Sequence, residues 1–326
     1  MPPSGDTFTI NYFCPLTETR PSGGVKVIHA HAEILAGAGI DSVVFHPGDV
    51  NHRAPWFESR APIRSIGDFH PRKDFLVIPE VWAGEFGPQF YEKGFKYAVF
   101  VQNGYSICLA PDTCAPLDLR AVYRNAALIL SISEDTSAMI ALAYPEIPPE
   151  KIIRVLPHVS DRFAPGEKSK TICYMPRKLP EHARLLSSIL AVRLPPDWSL
   201  APIHMRDETT VVETLAKASL FLSLSDLEGF GLPPLEAALS GALVVGYTGQ
   251  AGNEYFSEPN FKKIENGDIR TFIAEVAHAI ERVNAGCLQS ASFRSGIESL
   301  KGRYSRENER RTLLDFAQKV QDLIPR

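Results

Sequence analysis

Short apolar runs alternate with stretches of helical spacing along most of this 326-residue chain. The runs fall at 7–13, 41–47, 74–80, 96–103, 127–133 and 151–157, and resume at 171–176, 197–203, 220–225 and 242–247. The first alternates, whereas "DFLVIPE" and "KYAVFVQN" are nearly continuous, the pattern of parallel strands covered on both faces. Windows at 25–39, 118–126, 134–144, 181–192, 213–218, 233–241, 269–284 and 308–324 space their apolar residues as amphipathic helices do. Strand and helix in alternation predict parallel sheets with helices on both faces. The polar segment "APGEKSK" at 164–170 interrupts the series and reads as a linker. The expected architecture is α/β, with two Rossmann-like, doubly wound domains over 1–163 and 164–304 and a terminal helix over 305–326. In such folds ligands sit beyond the carboxyl ends of the strands, here expected between the domains.

Composition narrows the class without naming a chemistry. Apolar residues make up 44% and charged residues 22%, which is ordinary soluble usage, and the length suits two domains. A net charge of -4 gives no reason to expect nucleic acid as a partner. Cysteines at 14, 108, 114, 173 and 287 form no CxxC pair and no cluster of metal spacing, as expected of free thiols in a reducing compartment. His29 and His31 stand two apart on a helix, hence on different faces, and make no metal pair. "MPPSGDTF" lacks the pattern of a signal peptide, and no apolar run is long enough for a transmembrane segment. The expectation is a soluble cytoplasmic protein without bound metal.

One stretch departs from ordinary core usage: "SLSDLEGFGLPPLEAALSG", Ser223 to Gly241. A strand ends, a loop runs from Asp226 to Gly231, and a helix starts near Leu232 or Pro233. Pro233 and Pro234 suit a first helical turn, whose amide hydrogens would lack partners anyway. Gly229 and Gly231 let the backbone come close to a ligand. The amides of Gly229, Phe230, Gly231 and Leu232, with the positive end of the helix, make an anion site suited to phosphate. Carboxylates only accept hydrogen bonds, so Glu228 and Glu236 suit groups that donate them, such as sugar and ribose hydroxyls. Glu236 complementing the helix start and Glu228 merely solvated is the bland alternative, and it leaves the whole pattern unaccounted for. Hexose, diphosphate and ribose in a row describe a nucleotide sugar.

With those residues in place, "EGFGLPPLEA" resembles the Glu-x7-Glu motif of retaining glycosyltransferases of the GT-B fold, above all those of glycosyltransferase family 4. The likeness covers most of the chain. "SGGV" at 22–25 resembles the glycine-rich first loop of that family, and "KIIRVLPHVSDRFAP" at 151–165 the segment entering its hinge. "GYTGQAGNEYF" at 246–256 resembles the following donor-side loop, and the last helix resembles the one that crosses back to the first domain. "DFLVIPEVW" and "VFVQN" are similar to the bacterial branch containing rhamnosyltransferases. The resemblance implies two domains facing an interdomain cleft. It implies a retaining, metal-independent transfer, without cofactor, from a nucleotide diphosphate-sugar to a hydroxyl of a glycan, lipid-linked or small-molecule acceptor, as in polysaccharide biosynthesis. Peripheral contact with a membrane is compatible with a lipid-linked acceptor. By the same resemblance Glu236 binds the ribose, and Glu228, with the amides near Phe230 and Gly231, serves the donor sugar as the catalytic carboxylate. Gly23 and Gly24 let a loop approach diphosphate or acceptor. The departing phosphate oxygen takes the acceptor proton, and no protein nucleophile is needed.

The chain departs from the family at one place. An Arg followed five positions later by a Lys usually faces the diphosphate; here "YMPRKLPEHAR" offers Arg177, but His182 stands where the Lys is expected. Lys178 or Arg184 is left to replace it, Lys178 being the nearer, and the alternative is a solvated loop pair. Arg177 suits paired phosphate oxygens through its planar fork. His158, where relatives often carry Asn-Gly, is either a cleft residue or a structural one. Gln102 and Asn103 either bind acceptor or phosphate, or cap a strand. The aromatic stripe "EFGPQFYEKGFKY" at 85–97 reads as core packing before acceptor contact. No Asp-x-Asp motif is present for a metal-held diphosphate. Two other functions compete: a nucleotide-sugar epimerase or hydrolase of the same fold, and a non-catalytic nucleotide-sugar-binding subunit. Retention of both glutamates favours the transferase over the last.

Overall fold

The computed structural model describes residues 8–15, 22–46, 56–65, 69–71, 73–108, 116–257 and 259–324. Cys114 and most of the loop expected over 15–24 lie outside the described residues. The chain divides into two compact units, Met1–Pro157 with Glu307–Arg326, and His158–Arg306.

In the first unit the continuous apolar runs become strands: β1 (Thr9–Phe13), β2 (Ser42–His46), β3 (Ile63–Ser65), β4 (Asp74–Pro79), β5 (Tyr97–Val101), β6 (Leu128–Ser131) and β7 (Ile152–Arg154). They form a parallel sheet in the order β3-β2-β1-β4-β5-β6-β7. β1, β2, β4 and β5 are buried at every position, as strands covered on both faces must be. The order reverses between β1 and β4, so their carboxyl ends diverge into a crevice, the switch point of the sheet.

Helices α1 (Gly23–Gly37), α2 (Glu80–Glu92), α3 (Pro116–Asn125) and α4 (Glu134–Ala143) connect these strands. The Ser133 hydroxyl caps α4 by accepting from the Thr136 amide at 3.0 Å. The hydrophobic pattern did not predict α2, because Gly84, Gly87 and Pro88 interrupt it. Packing overrides those breakers: Trp82, Phe86, Phe90 and Tyr91 lie against the core, with the Phe13 and Phe86 rings 4.8 Å apart. Gly87 lets α3 approach closely, since a β-carbon there would meet Val122 at 2.4 Å. The aromatic stripe over 85–97 is thus core packing.

The second unit contains β8 (Ser169–Tyr174), α5 (Pro180–Arg193), β9 (Ser199–Pro202), α6 (Glu208–Lys217), β10 (Ala218–Glu228), α7 (Leu232–Leu239), β11 (Leu243–Gln250), β12 (Phe261–Lys263), α8 (Ile269–Asn284) and α9 (Ala291–Arg303). Its strands run parallel in the order β12-β11-β10-β8-β9, so this switch point lies between β8 and β10. Lys168 joins two helix ends: its ammonium donates to the carbonyls of Ala218 at 2.9 Å, just beyond α6, and of Ser240 at 2.5 Å, just beyond α7. Burial pushes the Lys168 ammonium down to about 8.

Two boundaries differ from expectation. The second unit starts at His158, ahead of 164, because the Val159 amide is already donating to the Tyr304 carbonyl of the same unit at 3.1 Å. The loop expected from Asp226 is strand as far as Glu228, which pairs with Gln250 after a shift of register between Ser225 and Glu228. The last helix, α10 (Arg306–Leu323), completes the first unit: Phe316 packs edge-on against Phe75, and the Thr312 hydroxyl accepts from the Leu156 amide at 3.1 Å. Among the described residues, no helix is long and apolar enough to cross a membrane.

Candidate functional site

The carboxyl ends of β8 and β10 carry the residues singled out by the sequence. β8 stops at Tyr174 and the following turn presents Arg177 and Lys178, both exposed. β10 delivers Glu228, then the turn Gly229-Phe230-Gly231, then α7. β8 and β10 are neighbours in the sheet, so the turn that follows β8 leaves the sheet at the same edge as the end of β10. Lys178 Nζ lies 3.2 Å from Glu228 Oε1. This contact supplies a cation close to Glu228, one position after Arg177 and four before the site of the missing lysine. His182 instead turns its ring edge-on to Tyr247, with centroids 5.7 Å apart, and lies in the first turn of α5.

Backbone conformation around Glu228 is unusual. Leu227 and Gln250 are non-glycine residues with φ of 41° and 72°, the left-handed region that costs most residues energy. Both belong to the paired rim where β10 and β11 end. Gly249, at φ 63°, leaves just enough room for Glu228, whose Cγ would lie 3.0 Å from a β-carbon there. Gly231 is the residue before α7 and adopts φ 81°, ψ 68°, a conformation that glycine takes without penalty. It offers no side chain to cap the helix, and Pro233 and Pro234 carry no amide hydrogen. The donors at this helix start are therefore the amides of the turn and of Leu232.

Behind the turn lies an aromatic cluster. The Phe230 ring lies 5.4 Å from that of Tyr255 and 5.3 Å from that of Tyr304. The Tyr255 hydroxyl donates to the carbonyl of Phe230 at 3.2 Å and also to that of Gly231. Burial pushes the Tyr255 phenol well above its usual value, so it remains a donor at every physiological pH. Glu236 is 8% exposed within α7, while the Glu228 side chain is 22% exposed. The two carboxylates thus meet different surroundings.

The other sequence-predicted residues belong to the first unit, apart from His158, which is half-buried at the start of the second. Gly23 and Gly24 begin α1 after β1, and Gln102 and Asn103 follow β5. The Gln102 side chain donates to the Gly24 carbonyl at 3.3 Å, and a β-carbon at Gly24 would fall 2.3 Å from Gln102 Oε1. The space that Gly24 leaves is therefore taken by Gln102. Asn103 turns its side-chain oxygen to the Tyr105 amide at 3.0 Å, the strand-capping alternative. Sequence reading missed the group that organises this corner. Glu80, at the carboxyl end of β4, accepts from the amides of Gln102 at 3.1 Å and Asn103 at 3.0 Å. Burial pushes its carboxyl up to about 7, against the opposing effect of those two amides. The available signal was a carboxylate closing an otherwise apolar strand run.

No protein-family model matches the sequence. No curated protein matches it either. Solved structures do resemble it. Anabaena HepE in complex with UDP superposes with a TM-score of 0.72 at 12% identity, over 95% of this chain and 100% of that one. The complex of the same protein with UDP-glucose gives 0.70 at 12% identity, over 95% and 99%. Sucrose-phosphate synthase from Thermosynechococcus elongatus gives 0.68 at 13% identity, over 97% and 99%. The lipopolysaccharide outer core galactosyltransferase WaaB gives 0.65 at 14% identity, over 97% and 99%. With its two parallel sheets matched over nearly the whole length, the chain has the GT-B fold found in glycosyltransferases.

Proposed function

We propose that the chain is a retaining glycosyltransferase that uses a nucleoside diphosphate sugar. The observation that carries this reading is the turn at the switch point of the second sheet. There Glu228 and Glu236 bracket a glycine turn, and Lys178 stands 3.2 Å from Glu228, beside Arg177. Acceptor carboxylates suit the hydroxyls at the two ends of a nucleotide sugar, and amides and cations suit the diphosphate between them. HepE binds UDP and UDP-glucose within a similar fold, which makes uridine donors the first to test.

The proposed roles follow from charge. As the bond between the anomeric carbon and the diphosphate oxygen breaks, positive charge builds on the sugar and negative charge on the leaving group. Glu228 faces the first and Arg177, Lys178 and the turn amides the second, where fixed donors stabilise developing charge most. The acceptor hydroxyl attacks from the face the diphosphate leaves, forms the new bond, and passes its proton to the departing phosphate oxygen. Glu236 holds the ribose. The acceptor is a glycan, a lipid-linked sugar or a small molecule.

Purified protein offered UDP-glucose and other nucleotide sugars tests the reading. A bound donor at 100 times its dissociation constant stabilises by about 2.7 kcal/mol, which raises the melting temperature measurably. The stabilising donor should then be consumed when acceptor is added, give a product of unchanged anomeric configuration, and turn over equally in EDTA. Loss of turnover in EDTA, restored by a divalent ion, would overturn the metal-free part. Inverted product would overturn retention, and donor consumed equally without acceptor would favour a hydrolase.

A further inference from the structure

Tyr255 lies outside the motif, yet its hydroxyl reaches into it. A planar trans peptide points its carbonyl and its amide hydrogen in opposite directions. When the Phe230 carbonyl turns toward the Tyr255 phenol, the Gly231 amide of the same peptide must turn away from it. The Gly231 carbonyl and the Leu232 amide obey the same constraint. One phenolic proton is shared between both carbonyls in a three-centre bond, at 3.2 Å to Phe230 and closer to Gly231. Among the described residues the amides of Gly231 and Leu232 find no acceptor. Glycine at φ 81° can flip its flanking peptides at little cost, so something must choose their direction. The phenol is buried and packed by Phe230, Phe256, Phe261 and Tyr304, which fixes it in place.

We infer that Tyr255 is a positioning residue for the diphosphate: by holding two carbonyls it aims the Gly231 and Leu232 amides at the donor anion. The inference rests on the proposed donor site and adds a residue to it that touches neither substrate nor reacting atoms. Recognition of the anion then depends on a hydroxyl located behind the turn.

Calorimetric titration of wild type and Tyr255→Phe with UDP, uridine and inorganic pyrophosphate separates this role from simple support of the fold. UDP and pyrophosphate affinity should fall about tenfold or more, the scale of a lost bond to a charged group. Uridine affinity should stay within about twofold, since nothing in it needs those amides. Tyr304→Phe removes a hydroxyl from the same cluster that serves Glu254 at 3.1 Å, and should change neither affinity. If Tyr255→Phe does not fold, Gly231→Ala provides the second test. Its methyl would lie 3.0 Å from the Tyr255 hydroxyl at an unfavourable φ, and the same selective loss should follow. Equal loss for UDP and uridine, or none for UDP and pyrophosphate, overturns the role of Tyr255. Wild type that binds pyrophosphate but not UDP overturns the uridine reading and leaves Tyr255 to be judged on pyrophosphate. Wild type that binds neither overturns both.

Discussion

Glu228 and Glu236 lie eight positions apart, but one is half-buried beside Lys178 and the other sits within α7 at 8% exposure. Equal chemistry in unequal places should fail unequally. Glu236→Gln keeps the shape and loses the charge, so UDP and uridine should both bind about tenfold more weakly, the scale of a hydrogen bond to a charged group. Glu228→Gln should leave UDP affinity nearly intact and lower kcat, because its partner gains charge only in the transition state. Calorimetry beside steady-state kinetics separates the two, and wild-type behaviour of both variants would remove the main support for a transferase. These carboxylates were legible in the sequence because everything that makes them unusual lies within the same short stretch. Tyr255 and Glu80 were not legible. Their partners stand 25 and 22 residues away along the chain, so only the closed fold shows what each hydroxyl or carboxylate holds.

Elements were legible where apolar spacing alone decides them, as in α8, where the expected 269–284 matches the helix Ile269–Asn284. They were missed where tertiary packing overrides local preference, as in α2, or where three residues suffice, as in β3 and β12. The junction of β4 with α2 has a further property, because Glu80 there binds the end of β5 through two amides. Burial holds its carboxyl at about 7 in the folded chain, above the 4.5 of an exposed glutamate. Between those two values the folded state binds more protons than the unfolded state, so this group makes stability fall as pH rises from about 4.5 to 7. Glu80→Gln cannot titrate. The melting temperature of wild type minus that of Glu80→Gln should therefore be more positive at pH 5 than at pH 8. A difference that stays flat across this range, or has the opposite slope, would mean that the buried carboxyl keeps an ordinary value.

On the scale of the whole molecule, the first unit is built from both ends of the sequence. Its last segment, Glu307–Arg326, is separated from the rest by the entire second unit. Sequence periodicity identified α10 as a helix, and the resemblance alone suggested where it packs, because amphipathicity does not name the surface that receives a helix. Leu313, Phe316 and Val320 are fully buried, and His31 Nε2 lies 3.4 Å from Glu309 Oε1, so α10 is part of that core. Burying three such apolar side chains contributes roughly 5–9 kcal/mol, comparable with the about 5–15 kcal/mol that holds a typical domain. A chain ending at Ser305 should therefore lose the first unit while keeping the second. Hydrogen exchange read at Thr9–Phe13 and Asp74–Pro79 should accelerate strongly, while Ala218–Glu228 and Leu243–Gln250 stay protected. UDP should then still bind the truncated chain, because Arg177, Lys178, Glu236 and the turn amides proposed to hold it lie in the second unit. Protection of both sheets as in the full chain would show that α10 contributes little to the first core, and collapse of both would show that neither unit stands without it.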